Sequence, residues 1–199
     1  MTADENFFPG RFVYDFGIHY RHFERYMRAL KVLGKLGKSE TWLDCACGSG
    51  YGSHLLSGFA KKIIGFDINK EAVAYAKAKY AHSGLSFYSD VTGFADVLFD
   101  AVISVETIEH MPRQEAVFFL QNIGKQMKEE AIMVITTPIV AVSNPNPTNP
   151  FHKYEYSYAE FSSLLQESGF TIDEYLADTV TFTDGETKDQ GYFRCISRG

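Results

Sequence analysis

Three glycines and two acids carry the first chemical signal in this 199-residue chain. In Trp42-Leu-Asp-Cys-Ala-Cys-Gly-Ser-Gly-Tyr-Gly52 a short apolar run enters a glycine-rich turn, with Asp44 just before it. Glycines at 48, 50 and 52 let a backbone bend tightly and approach a ligand without side chains in the way. A second apolar run, Lys62-Ile-Ile-Gly-Phe-Asp67, ends in another acid, placed to accept hydrogen bonds from a ribose diol. The pair predicts an adenosine-containing cofactor bound at the carboxyl ends of the strands.

The loop itself narrows the cofactor. A dinucleotide fingerprint reads G-x-G-x-x-G, whereas Ser53 stands here where the third glycine belongs. A carboxylate at Asp44 would repel a pyrophosphate, but it could orient the loop and attract a cationic aminoacyl group. A second constellation lies farther on. His110 and His152 follow the predicted fourth and fifth strands, at the sheet edge that faces the cofactor, and suit the removal of an acceptor's proton. Glu106, Glu109 and His110 form E-x-x-E-H; on a helix these would share one face, and with His152 they could hold a divalent ion. A divalent metal is not favoured over a metal-free site, in which the acid and imidazole orient the cofactor end or pack under the loop. The expected ligand set is therefore none. Cys45-x-Cys47 is read as small residues packing beneath a tight loop.

The pattern L-D-x-x-C-G-x-G-x-G resembles motif I of class I S-adenosylmethionine-dependent methyltransferases. The resemblance continues through Ile68, Ser89-Asp90-Val91, Phe99 to Pro112, and Ile135-Thr-Thr-Pro138, over roughly residues 40 to 175. It implies a Rossmann-like, doubly wound sheet of about seven strands, mostly parallel with the last antiparallel, and helices on both faces. It also assigns the donor's contacts. Gly48 and Gly50 meet the methionine part through the backbone, with Asp44 below them and Ala46, where relatives often carry glycine, at a close approach. Asp67 takes the ribose, Ile68 flanks the adenine, Asp90 accepts from its amino group, Val91 adds a backbone contact and Val105 lies near the sulfonium. The cofactor implied is S-adenosylmethionine, leaving as S-adenosylhomocysteine.

The acid-histidine set is similar to the metal site of methyltransferases of small-RNA 3′ ends, and to a pattern in ubiquinone-pathway O-methyltransferases. The early P-G-R-F segment, C-G-S-G-Y-G-S, E-T-I-E-H and N-P-F-H-x-x-E-Y resemble small bacterial methyltransferases of surface-glycan biosynthesis. That implies O-methylation of a sugar or sugar-like small molecule. Competing readings are methylation of a quinone precursor, an amine or an RNA 3′ end, and a non-catalytic S-adenosylmethionine-binding protein. The last should tolerate loss of His110 and His152; an enzyme should not.

The elements that must position these residues follow from alternating apolar runs and helical patterns. Strands are predicted at 41-45, 62-66, 85-89, 100-105, 131-136, 170-176 and 191-197, and helices at about 18-36, 50-58, 70-81, 113-128 and 157-168. The expected ends are Asn69 as an N-cap, Pro112 in a first turn, and Gly37 and Gly169 as stops. One domain covers residues 1-199, with 1-38 an aromatic arm and helix over the pocket and the 139-156 loop completing the acceptor side.

A net charge of -6 argues against nucleic acid as partner, which calls for a basic stripe. Arg21, Arg25, Arg28, Lys31, Lys35 and Lys38 read as a solvated helix face. No apolar run reaches the ~20 residues of a membrane span. An odd count of three cysteines and an N-terminus without a basic-then-apolar signal point to the reducing cytoplasm. Several small proteins of this type pair as dimers; no stripe here compels a homodimer, which stays open.

Overall fold

The structure is a computed structural model, and it describes residues 16–34, 40–181 and 187–197. Side chains are described except for 16–22 and 180–188. The arm at 1–15, the side chains of His19 and His22, and the expected stop at Gly37 lie outside these ranges. Helix α1 (Phe16–Leu33) leads into β1 (Thr41–Cys45), α2 (Tyr51–Leu56), β2 (Lys62–Phe66), α3 (Lys70–Tyr80), β3 (Leu85–Tyr88) and β4 (Phe99–Val105). There follow α4 (Arg113–Lys125), β5 (Met127–Val140), β6 (Tyr156–Ser157), α5 (Tyr158–Glu167), β7 (Phe170–Thr181) and β8 (Thr187–Ser197).

The strands form one sheet in the order β3-β2-β1-β4-β5-β8-β7, with the two-residue β6 beside the far end of β5. β1 to β5 are mutually parallel, and β8 runs antiparallel to both β5 and β7. This is the expected doubly wound architecture with its antiparallel last strand. Alternation along the strands sends Leu43, Cys45, Val102, Met133 and Ile135 to one face, where α4 and α5 cover them through Leu120, Ile123, Phe161 and Leu164. Trp42, Ile63, Ile103 and Val134 go to the other, under α1, α2 and α3. A parallel sheet buried on both faces needs these near-continuous apolar strands.

Element ends differ from expectation where long-range pairing extends them. β5 runs well beyond 131-136 in both directions: β8 pairs with it from Ile132 to Ile139, and its start at Met127 pairs with Phe99 of β4. β7 and β8 likewise lengthen each other into one ribbon. α1 stops at Leu33, three residues early: Gly34 turns to φ 80, and its N–H caps Leu30. Pro112 precedes α4 as its N-cap instead of entering the first turn. Asn69 caps α3 as expected, accepting from the N–H groups of Glu71 and Ala72, and Gly169 at φ 95 closes the α5 region.

The basic face of α1 needs correction. Arg25 is not solvated: its side chain is 12% exposed and its guanidinium pairs with Glu106 at 3.2 Å. Arg28 reaches Asp178 on β7 at 2.6 Å. Tyr26, Ala29, Val32 and Leu33 are buried, whereas Phe23 and Met27 face outward.

Candidate active site

The half in which the sequence expects the donor is built mostly from backbone. β1 ends at Cys45 and the chain turns through Ala46 at φ 64, Gly48 at φ 52 and Gly50 at φ 82. Left-handed backbone costs an L-residue ~1 kcal/mol or more, which is why glycine suits position 46 and why alanine there sits under strain. A Cβ on Gly48 would point into open space, the room a ligand needs to reach the backbone. At Gly50 it would instead lie 2.6 Å from the Ala76 Cβ and 2.8 Å from the Phe87 ring, so this turn packs directly on α3 and β3.

Asp67 ties the two loops together. One carboxylate oxygen accepts the Gly48 N–H at 2.8 Å, the other the Asn69 N–H at 2.9 Å. A carboxylate is an acceptor-only group of the kind a ribose diol donates to. Ile68 beside it is 82% exposed, a bare apolar surface next to that carboxylate. Asp90 accepts the Thr92 N–H at 2.9 Å, and that backbone bond holds its carboxyl below the usual range, ionised and exposed. Val91 is exposed and Val105 buried.

Asp44 lies beneath this loop and is fully buried. Ser53 donates to it at 2.6 Å and Tyr26 of α1 at 3.1 Å. Burial pushes its carboxyl up to about 7, against the lowering effect of those two hydroxyls. Ser53 therefore has a positive reason to replace the third glycine: it is a hydrogen-bond donor to the loop's buried acid. Cys45 and Cys47 are buried, with thiols raised by burial, and all three cysteines are free.

The half in which the sequence expects the acceptor is built from side chains. The segment after β4 is not an α-helix; only Ile108–His110 form a turn of 3₁₀ helix. Glu106 adopts φ 51 and does not share a face with Glu109 and His110. Its carboxylate receives Thr136 Oγ1 at 3.0 Å, Gln190 Nε2 at 2.5 Å and Arg25. Of the four residues that could have come together, only Glu109, His110 and His152 do so, one ligand-type atom of each lying within 4.8 Å of the others. Glu109 is fully buried, and burial and then the nearby Glu106 charge raise its carboxyl well above the ordinary range. Thr137 donates to its Oε2 at 3.2 Å. His110 Nδ1 lies 3.0 Å from the Phe151 carbonyl and His152 Nδ1 lies 2.8 Å from Glu155 Oε1. Both partners accept, so each Nδ1 carries hydrogen and each Nε2 is turned away from these partners. Burial lowers the His152 pKa, which keeps that ring neutral near pH 7. The two rings stand 5.3 Å apart, edge to face. The 139-156 loop does reach the site: Lys153 and Tyr154 donate their N–H groups to the Glu109 carbonyl.

Sequence reasoning passed over Tyr26, Arg25, Gln190, Thr136 and Glu155. Only Glu155 left a local trace, as the acid of His-x-x-Glu three residues after His152.

A methyltransferase-domain family model matches residues 36–177, and the chain belongs to that family, the class I S-adenosylmethionine-dependent methyltransferases. It is 29% identical over 142 residues to a probable S-adenosylmethionine-dependent methyltransferase of Mycolicibacterium smegmatis, covering 67% of this chain and 53% of that protein. With the ubiquinone biosynthesis O-methyltransferase of Paramagnetospirillum magneticum it shares 25% identity over 82% of this chain and 75% of the relative. The chain thus spans about half the length of the mycobacterial relative. Its fold matches the N-methyltransferase NodS of Bradyrhizobium japonicum, solved with S-adenosyl-L-homocysteine, at TM-score 0.71 and 18% identity over 89% of this chain and 87% of that one. S-adenosylmethionine is accordingly the cofactor. The open face at Gly48, the ribose-ready Asp67 and the bare Ile68 fit it.

Proposed function

We propose that the protein transfers the methyl group of S-adenosylmethionine to an oxygen of a small acceptor, a sugar or sugar-like molecule. The observation that carries the reading is the meeting of two half-sites at one sheet edge: the glycine loop with Asp67 and Asp90, and the cluster of buried Glu109 with half-buried His110 and His152. The donor supplies a sulfonium-activated methyl group, so the protein's task is orientation plus help with the acceptor's proton. Gly48, Gly50, Asp67, Ile68, Asp90 and Val91 hold the donor. Asp44 and Ala46 shape the loop from below, and Val105 walls the methyl side. His110 and His152 present their Nε2 atoms to the acceptor and are the catalytic pair.

Helix α1 roofs both halves, since Tyr26 anchors to Asp44 and Arg25 to Glu106. With α1 as its cover, the described chain works as one methyltransferase domain. Half-buried imidazoles with buried acids and tyrosines around the acceptor side suit a hydroxylated molecule of small size better than a phosphate backbone, in keeping with the net charge of -6. Three free, buried cysteines support work in the reducing cytoplasm. No described helix is long and apolar enough to cross a membrane.

Calorimetric titration with S-adenosylmethionine, S-adenosylhomocysteine and NAD tests the donor half; micromolar binding of the sulfur compounds and none of NAD is expected. An acceptor screen opening with nucleotide sugars, then catechol-type quinone precursors and amines, tests the rest. Methylation of a quinone precursor alone would replace the sugar reading.

A further inference from the structure

Glu155 is an acid buried to 3% exposure, with its Oε1 2.8 Å from His152 Nδ1. The backbone of the loop fixes that approach from both sides. Asn149 Oδ1 accepts the Phe151 N–H and the Asn149 carbonyl accepts the His152 N–H, both at 3.1 Å, so a turn places the ring. Lys153 and Tyr154 donate their N–H groups to the Glu109 carbonyl, which pins the next two residues against the turn after β4. Glu155 then exchanges both backbone hydrogen bonds with Asn144, at 2.8 and 3.0 Å. That ladder alone needs no carboxylate at 155, and burying one is costly without a partner.

The two imidazoles differ in what stands behind them. His110 Nδ1 faces the neutral Phe151 carbonyl, whereas His152 Nδ1 faces the Glu155 carboxyl. A ring that takes up a proton beside a carboxylate is stabilised as imidazolium, and far less so beside a carbonyl. Other acids near the pair are engaged elsewhere. Glu106, at the end of β4, is held by Arg25, Thr136 and Gln190, and burial drives Glu109 toward its neutral form. We propose that Glu155 is a positioning residue that makes His152 the base for the acceptor's proton, while His110 holds the acceptor. The base role rests on the function proposed above; the pairing of ring and carboxylate does not.

The step balances without a further reactant. The acceptor's hydroxyl proton passes to His152 Nε2 as its oxygen bonds to the donor's methyl carbon. The bond from that carbon to sulfur breaks, and its electron pair stays on sulfur, giving the neutral thioether of S-adenosylhomocysteine. Glu155 steadies the imidazolium, which then releases its proton to solvent.

The test uses the full chain labelled with ¹⁵N-histidine, its six imidazoles followed against pH by long-range ¹H–¹⁵N NMR. His152 is identified by its loss in His152→Ala. In the unaltered chain its neutral ring should carry hydrogen on Nδ1; hydrogen on Nε2 overturns the proposal, even should the variants misfold. Glu155→Gln keeps the shape and an accepting oxygen but removes the charge. The His152 midpoint should then move to lower pH, because the lost anion favoured the charged ring over the opposing charge of His110. An unmoved midpoint overturns the proposal too. Turnover is read with the acceptor found by the screen above. Glu155→Gln should lower kcat at least about tenfold, part of the 10²–10⁴-fold typical of a general base, and move the acid limb of its pH profile to lower pH. KM and affinity for S-adenosylhomocysteine should change less than about threefold. A raised KM at full kcat overturns the proposal, leaving Glu155 a purely structural acid. A screen that yields no methylated acceptor, beside the expected NMR titration, overturns the functional reading and the base role with it.

Discussion

The two halves of the site are held together in opposite ways. In the donor half the key acids bond to backbone N–H groups close by in the chain: Asp67 to Asn69 and Asp90 to Thr92 across two residues, Asp67 to Gly48 across 19. In the acceptor half, side chains meet side chains or loops across 28 residues at Thr137–Glu109, 41 at His110–Phe151 and 84 at Gln190–Glu106. A backbone-built site tolerates changes of side chain but not of turn geometry. A side-chain-built site should behave the other way, its chemistry failing one residue at a time while the fold survives.

The sharpest break of this contrast is Gly50→Ala. It combines a left-handed φ of 82 with a Cβ 2.6 Å from Ala76. A destabilisation of about 2–5 kcal/mol is expected, with loss of donor binding, read by thermal unfolding and calorimetry. Retained affinity would mean the loop can relax, and the donor half would not depend on this geometry.

His110→Ala probes the other half. Turnover should fall at least about a hundredfold while affinity for S-adenosylhomocysteine changes less than about threefold. Unchanged turnover would remove His110 from the chemistry.

Tyr26 and Asp44 lie on the seam between the halves. Tyr26→Phe removes one hydrogen bond to a buried carboxyl and should cost about 1–3 kcal/mol in chemical denaturation. Asp44 itself gives a pH signature. Its folded pKa of about 7 lies above the ordinary 3.8. The stability it contributes is therefore full below about pH 4 and is lost as pH rises through 7. Asp44→Asn should flatten the stability-against-pH curve between about pH 4 and 7 by up to one proton's slope, ~1.4 kcal/mol per pH unit. Parallel curves for the two proteins would show that Asp44 stays ionised.

The smallest effect is expected away from both halves. Lys128 pairs with Asp100 at 2.6 Å but is half exposed, so Lys128→Ala should shift stability by less than ~1 kcal/mol.

The sequence by itself determined what depends on neighbours along the chain. Apolar strand runs alternating with helical periods specify a parallel α/β sheet, and every predicted strand is present. The glycine turn, the acids at strand ends and the Asn69 cap were legible because each is a local contact between a residue type and nearby backbone. The lengths of β5, β7 and β8 were not, since antiparallel pairing across the chain sets them. Nor was the break-up of E-x-x-E-H. Helical spacing puts Glu106 with His110, but Arg25, Thr136 and Gln190 pull its carboxylate elsewhere at the expense of a left-handed φ. Arg25 looked like one more solvated cation on a basic helix, because nothing in its spacing shows a buried acid waiting across the sheet. Only tertiary structure decided which charges are neutralised in the interior: burial makes an unpaired carboxylate costly, and the partners that relieve it come from wherever the fold brings them.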